Sequence, residues 1–374
     1  MAGYNFAQFD GLRPEDISAF AQFRFRDEIE NPTRLGERIL PFVTQEDWRV
    51  STGRMKFRPV ASGIIAPDSP LPTGPLGTFD ERDYGLLKGG MKYRLIESEI
   101  RKLIEIFRNG RRATAEEIMR SRPYQLANAL VTGYLDRAEA MRWEVLTTGE
   151  YVIPNSGGTV KIDYGFEASQ KIALTLGDRW DQASTADGLD DLLAWDDLIY
   201  QNIGVHSSFT VISRRALTNL LAQDKTKTRL ANAGYAGIGG QVAPSTNQLG
   251  IPFFIDSVNA YLNRYGVGQL VLYDRMYNSS DHYGDTGQPT LTRFMAENAF
   301  VMVAPTAIDG GLGFDGGTAT GLQADGPVVE NGMTPGLYVW LTEQDEPYEV
   351  QVKSVFWTVP VIHDPRTIVS GTLW

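Results

Sequence analysis

Histidines are the residues best suited to move protons or hold metals near neutral pH, and this chain has three: His206, His282 and His363. They stand far apart in sequence, and no His-Glu-x-x-His run brings two of them onto one helix face. The 374 residues contain no cysteine, which excludes disulfides, thiolate metal sites and a thiol nucleophile. A Ser–His–Asp set could be drawn only by choosing freely among many serines and aspartates, so each histidine reads by default as a structural or surface residue. Four aspartates, Asp190, Asp191, Asp196 and Asp197, crowd one stretch with helical spacing. Two of them could be cast as the acid and base of a glycosidase. Carboxylates on a single helix do not flank a substrate, however, and Asp190 and Asp197 share a face through heptad spacing alone. The plainer reading is the solvated side of an amphipathic helix. Gly310-Gly-Leu-Gly-Phe-Asp315 matches the start of a calcium-binding β-helix repeat, but it occurs once, and Gly317 stands where a large apolar residue belongs. No phosphate-binding or dinucleotide-binding glycine pattern is present. The chain is expected to need no cofactor and to catalyse no reaction.

A different constellation is basic. Arg54, Lys56 and Arg58 alternate along Trp48–Val60, which reads as a strand with Met55 and Phe57 on its other face. A loop rich in breakers follows (Pro67, Pro70, Pro72, Gly74, Pro75, Gly77), and a second strand-like run, Met91–Ile96, comes after Gly85, Gly89 and Gly90. Lys88, Lys92 and Arg94 lie on this return side. Two strands joined in this way predict a protruding ribbon, and an isolated two-stranded ribbon is marginal in water. Its cations could meet acidic surfaces of neighbouring copies; they could equally keep strand edges from pairing at random.

The elements around the ribbon follow from pattern. Pro14 starts a short helix through Ile17, Phe20 and Phe23, stopped by Asn31-Pro32, and residues 1–46 read as an arm too short for its own core. Glu97–Phe107 is predicted helical, with Asn109-Gly110 ending it, and Thr114-Ala-Glu-Glu117 matches a capping box for another short helix. The longest helix is expected from Pro123, a proline suited to a first turn, to about Thr148, with Leu126, Leu130, Tyr134, Ala138, Met141 and Val145 inward. Tyr151–Ile153 and Thr159–Tyr164 read as a hairpin around Asn155-Ser-Gly-Gly158. From about 170 to 305 the pattern is α/β. It comprises a helix at Leu189–Ile203, a strand at Phe209–Ile212, a helix capped by Ser213, and short strands at Ile251–Ile255, Gln269–Tyr273 and Phe300–Val303. Surface loops are expected at Asn232–Asn247 and Asn278–Pro289, and a glycine-rich loop at Ile308–Asp325. Strands return at Leu337–Leu341 and Glu349–Val361, where Pro360 marks a strand end or edge.

Charge adds one constraint. Residues 1–150 carry 22 basic and 22 acidic side chains, so the acid behind the net charge of −11 lies wholly beyond residue 150. Such a chain is poorly suited to tight non-specific DNA binding, which depends on cations neutralising phosphates. Hydrophobic content of 42%, with seven Trp and 17 Phe, predicts a cored protein rather than disorder. No run approaches the length of a membrane span, and the start Met1-Ala-Gly-Tyr-Asn-Phe6 has no signal pattern.

The order of parts is arm, ribbon, long helix, α/β unit and returning strands. With it go the runs Leu40-Pro-Phe-Val-Thr-Gln-Glu-Asp-Trp-Arg-Val50, Pro59-Val-Ala-Ser-Gly63, Arg137-Ala-Glu-Ala-Met-Arg-Trp-Glu-Val-Leu-Thr-Thr-Gly149 and Pro360-Val-Ile-His-Asp-Pro365. In this the chain resembles the major capsid proteins of tailed bacteriophages, which have the Johnson fold (the HK-ninety-seven fold), and within them the lambda-type major capsid protein E family. The resemblance implies an α+β subunit with an N-terminal arm (1–46), an extended ribbon loop (47–96), a peripheral domain with a spine helix (97–165), an axial α/β domain (166–330) and C-terminal strands completing the peripheral sheet (331–374). It implies hexamers and pentamers of this chain closed into an icosahedral shell, a separate scaffolding protein, a portal at one vertex, in some members a decoration protein, packaged double-stranded DNA bound without sequence specificity, assembly in the host cytoplasm, and no membrane. With the arm beginning within a few tens of residues of the ribbon, a scaffold segment fused to it is not expected. Some relatives cross-link subunits through a loop lysine and an asparagine, but no local pattern marks such a pair. The nearest other reading is an encapsulin-like nanocompartment; a more distant one is an acidic carbohydrate-active enzyme, which would need paired carboxylates in a cleft. Deleting Ile65–Lys88 is expected to harm assembly more than folding.

Overall fold

The structure, a computed structural model, describes residues 14–45, 49–56, 78–98, 112–155, 158–233, 251–279, 290–304, 316–323, 334–345 and 348–374. The arm opens with α1 (Pro14–Glu30) and the short α2 (Leu35–Ile39). In α1 it is Ile17, Ala21 and Phe25, four residues apart, that are buried, while Phe23 is 68% exposed. The arm therefore does not wait for a partner; α1 lays a continuous stripe on its own chain.

Strands β1 (Phe42–Gln45), β2 (Arg49–Lys56), β3 (Thr78–Gly85) and β4 (Leu87–Ile96) follow. The ribbon is real, but its return strand is β3: β2 and β3 pair antiparallel from Arg49–Gly85 to Lys56–Thr78. The expected return run Met91–Ile96 belongs to β4, which pairs instead with a strand some 250 residues later. Tyr84 and Leu86 at the root of the ribbon are buried in the subunit. The deletion of Ile65–Lys88 would thus remove core as well as loop.

One helix, α3, runs from Arg112 to Thr148, 37 residues or about 55 Å at 1.5 Å each. It absorbs the expected separate helix at Thr114 and places Pro123 in its interior instead of its first turn. Nothing in Ile118-Met-Arg-Ser-Arg122 breaks the helix, and an interior proline forgoes one i→i−4 bond. The Glu97–Phe107 helix lies mostly outside the described residues. The hairpin of β5 (Glu150–Asn155) and β6 (Gly158–Asp163) forms as the sequence indicates.

Next come β7 (Lys171–Ala173), α4 (Gly188–Ile203), β8 (Phe209–Ile212), α5 (Arg214–Ala222), α6 (Asp224–Asn232) and α7 (Ile251–Arg264). The Ser213 hydroxyl caps α5 by accepting from Ala216 N–H at 3.0 Å. The strand expected at Ile251–Ile255 is the first part of α7. An apolar run of five cannot be told from a buried helix by itself, and Val258, Tyr261 and Leu262 continue it at helical spacing into the core. Strands β9 (Gln269–Leu272), β10 (Met276–Ser279), β11 (Thr290–Arg293) and β12 (Ala299–Val303) complete this part. Residues 234–250 and 280–289, most of the two expected loops, lie outside the description; Asn278 itself sits in β10.

The expected glycine-rich loop gives way at Gly316 to β13 (Gly316–Gln323), a strand inside a sheet whose buried Thr318 and Thr320 sit between neighbours on both sides. The Gly310–Asp315 motif lies outside the described residues. The chain ends with β14 (Thr334–Pro335), β15 (Leu337–Asp345), β16 (Tyr348–Ile362) and β17 (Ile368–Thr372).

Two sheets organise these strands. The six-stranded sheet runs β1-β13-β16-β15, with β4 on the other side of β16 and β14 beside β13. The five-stranded sheet has the order β7-β17-β12-β8-β9. β13 stands in the first sheet and β17 in the second, so the strands do not follow the limits expected at 330 and 331. Pro360 lies beyond the end of the β4 ladder at Thr358, where β16 has lost its neighbour on that side, and its carbonyl accepts from the Tyr164 hydroxyl at 2.9 Å. One apolar core lies between α1, α3 and the six-stranded sheet, and a second between the five-stranded sheet and α4, α5 and α7. A third, holding Trp143, Tyr164, Tyr273 and Val359, joins the two.

Candidate functional site

Two groups of charged residues stand out, one on a surface and one buried. Arg54 and Lys56 lie on β2 of the ribbon, and Arg58 is outside the described residues. Lys88, Lys92 and Arg94 share one side of β4, and all three are exposed. The antiparallel register sets Lys92 against Lys353 and Arg94 against Gln351 on β16, with Trp340 of β15 next in the row. Lys88 sits 5.3 Å over the Trp357 ring, which fixes the same face. The two predicted cation sets therefore do not form one two-stranded surface. One belongs to the ribbon; the other joins Lys353, which sequence reasoning missed, on the face of the six-stranded sheet opposite α1 and α3. Lys92, Arg94 and Lys353 have no ion pair among the described residues, and like charges directly opposed across strands repel. Gly89 lets β4 approach, since a Cβ there would enter the Phe356 ring at 2.2 Å.

The aspartates of α4 divide. Asp190 and Asp197 are exposed, as a solvated face requires. Asp191 is half-buried and accepts from Trp180 Nε1 at 2.8 Å; burial pushes it up to about 6, against that hydrogen bond. Asp196 is buried and holds the next loop, accepting from Ser207 N–H at 2.7 Å and Ser207 Oγ–H at 2.5 Å, with His206 Nδ1 at 2.5 Å. Only half of the quartet is a solvated face, because a helix packed on a sheet turns 191 and 196 inward whenever 192, 195 and 199 are its apolar stripe. Asp190 also meets Arg229 at 3.2 Å, which bridges to the N-cap Asp187 at 2.7 Å. The exposed His363 does not join His206, and His282 is outside the described residues.

The buried group lies where arm, long helix and both sheets meet. Glu139 on α3 is fully buried. Its Oε1 accepts from Gly36 N–H of α2 at 2.9 Å, Trp143 Nε1 at 2.8 Å and the Tyr273 hydroxyl beyond β9 at 2.7 Å. Its Oε2 faces Arg142 Nη1 at 3.3 Å. Arg142 Nε donates to Thr318 Oγ1 on β13 at 2.7 Å, and that hydroxyl donates to the Leu40 carbonyl at 2.9 Å. The Arg142 guanidinium lies 4.2 Å over Phe42. Burial lowers the pKa of Arg142 against the pull of Glu139, and burial followed by the Glu139 charge raises that of Tyr273. One turn outward, Arg34 pairs with Asp136 at 2.8 Å and Glu28 at 2.7 Å. Burial alone would lower the pKa of Arg34, but these partners hold it above its usual value.

Sequence reasoning did not single out Glu139 and Arg142, although a signal existed. Both lie within Arg137–Gly149, Leu40 and Phe42 within Leu40–Val50, and Pro360 within the closing run: segments quoted for resemblance meet in space.

A two-stranded ribbon, an arm seated on a helix of 37 residues and two sheets sharing one core make an α+β subunit of the kind the capsid resemblance implies. The model of the phage major capsid protein E family matches residues 30–373, and the chain belongs to that family. Its structure is similar to one described as a prophage capsid protein of E. coli CFT073, with 14% identity over 96% of this chain and 98% of that one and a TM-score of 0.55. A phage-related protein of Bordetella bronchiseptica RB50 (11% identity, 95% and 96% covered, TM-score 0.49) and the mature capsid of bacteriophage PhiM1 (12%, 91% and 87%, 0.47) are weaker likenesses. No curated protein matches. The role of the chain is structural, as a capsid shell subunit of the virion, and no described helix is long and apolar enough to cross a membrane.

Proposed function

We propose that copies of this chain close into hexamers and pentamers of an icosahedral shell, each ribbon lying on a neighbouring copy. The observation that carries this reading is the β2–β3 ladder: among the described residues its two strands pair with each other and with no third strand. A head-to-tail contact closed by rotation makes rings, and a ribbon lying on the next copy gains the surface it lacks alone. In this reading the six-stranded sheet with α3 is the peripheral part and the five-stranded sheet the axial part. Arg54, Lys56 and Arg58 on the ribbon, and Lys88, Lys92 and Arg94 on β4, meet acidic surfaces of neighbours, for which Asp190 and Asp197 are candidates. A scaffolding protein guides closure in the host cytoplasm, a portal takes one vertex, double-stranded DNA fills the interior, and a decoration protein could bind outside. The acidic excess beyond residue 150 limits adhesion of that DNA to the wall.

Negative-stain microscopy of the expressed chain, with and without its neighbouring gene products, tests the reading. Closed shells, rings or tubes support it. A stable monomer under every condition, scaffold included, would overturn it, and shells that retain DNA strongly at physiological salt would overturn the adhesion argument.

A further inference from the structure

Glu37 is an acid of the arm cluster that forms no ion pair among the described residues. Its side chain is 2% exposed, and neither carboxylate oxygen has a hydrogen-bond partner among the described residues. Opposite it, Arg142 Nη2 is likewise buried and unpaired. The two groups interact through space but form no ion pair within 4.0 Å, because the other arms of that guanidinium are committed to Glu139 and Thr318. An ionised carboxylate buried without partners is costly, and the usual outcome is that it keeps its proton. The groups facing Glu37 are Arg142, Glu139 and Tyr134 from α3 and Glu28 and Arg34 from the arm, with the Thr318 hydroxyl from β13 beside Arg142. The neighbouring acids Glu28 and Glu139 thus work against ionisation, while Arg142 and Arg34 work for it.

The position matters because Glu37 lies inside α2, the piece of arm plugged into α3. The plug is tight: Gly36 donates to Glu139, and a Cβ on Gly36 would come within 2.6 Å of that carboxylate. An ionised Glu37 would compete with Glu139 for the Arg142 guanidinium, and Glu139 is the group that holds the Gly36 amide.

We propose that α2 is a proton-linked latch: the arm seats on α3 with the Glu37 carboxyl protonated, and its hold loosens when that proton leaves. The direction follows from linkage. Burial raises Glu37 from the ordinary 4.5 to about 7 in the seated arm. Seating therefore takes up a proton between those values, the hold is firmest below the lower one, and it weakens as pH rises through the upper one. Between pH 6 and 8 the seating equilibrium falls about tenfold. Shell closure is not required for this, so the latch can be tested on unassembled subunits and stands or falls separately from the assembly reading.

Hydrogen exchange of the Gly36 and Leu40 amides, corrected for the pH dependence of the intrinsic rate, reads the seat directly. In the full chain, protection should fall about tenfold from pH 6 to pH 8. Glu37→Gln, which mimics the protonated form at every pH, should show no such fall and should be more protected at pH 8 than the parent chain is at pH 6. Should Glu37→Gln fail to fold, Glu37→Met supplies a second neutral side chain of similar length. A flat profile in the parent chain, or the same tenfold fall in a neutral variant, overturns the latch.

Discussion

The charges at Glu139–Arg142 and those along Lys92–Lys353–Arg94 are of the same kind and end in opposite situations. The first are fully buried, and each bonds across elements that are far apart in sequence: Gly36, Tyr273, Thr318. The second stand in a row on one sheet face, and none of them is in an ion pair among the described residues. A charge spent inside the subunit is part of what fixes the arm, the long helix and the two sheets to one another. A row of cations outside any ion pair has no such work within the chain, and Lys92 opposite Lys353 costs something through like-charge repulsion. The difference separates residues that make the subunit from residues free to join subunits.

The buried side gives the largest effect. Glu139→Ala removes the acceptor of three donors at once and leaves Arg142 buried without its partner, so it should cost about 3–5 kcal/mol of subunit stability in urea unfolding. A loss below about 1 kcal/mol would mean that the arm and Tyr273 are held by apolar packing alone, and the contrast with the surface row would fail. Gly36→Ala should cost less, about 1–3 kcal/mol, because a Cβ in contact with the Glu139 carboxylate must push α2 outward. Its signature is local: proteolysis in the arm with the five-stranded sheet intact.

The surface side should reverse this ranking. Lys92→Glu combined with Arg94→Glu should change unfolding by no more than about 0.5 kcal/mol, since exposed charges away from caps and cores rarely do more. The substitution of Lys92 could even help slightly by ending the clash with Lys353. Assembly should fail, because like charges facing each other across an interface cost several kcal/mol and the contact repeats in every copy. Normal shells from this double variant, seen by microscopy, would show that the row keeps edges apart and does not join neighbours.

How much of this was legible from the residues alone depends on the range of the interaction. Ser213 as a cap and the β5–β6 hairpin are local patterns, and each forms as its sequence indicates. The partner of β4 is not local: Leu87–Thr358 and Ile96–Glu349 pair across more than 250 residues, and alternation in one strand does not name the other. β13 reads as a loop because Gly316-Gly-Thr-Ala-Thr-Gly321 is small, yet smallness suits a strand held between neighbours on both sides. Glu139 and Arg142 look like an ordinary i,i+3 surface pair until the arm and β13 close over them.

The smallest expected effect concerns the aspartates of α4, where the same contrast recurs within one helix. Asp197 is exposed and Asp191 half-buried, so the two should respond differently to losing their charge. In Asp191, burial raises the carboxyl from 3.8 to about 6, which means that the folded state binds its proton more readily than the unfolded chain. Its contribution is therefore most favourable below about pH 4 and declines as pH rises through 6. Asp191→Asn keeps an acceptor for Trp180 Nε1 and removes the titration. Unfolding midpoints of the variant should lose the part of the parent's decline that falls between pH 4 and 6, and at pH 7 the variant should be no less stable than the parent. Asp197→Asn, at an exposed position, should change stability at pH 7 by no more than about 0.5 kcal/mol. An unchanged profile in Asp191→Asn would place Asp191 with the solvated face after all, beside Asp190 and Asp197.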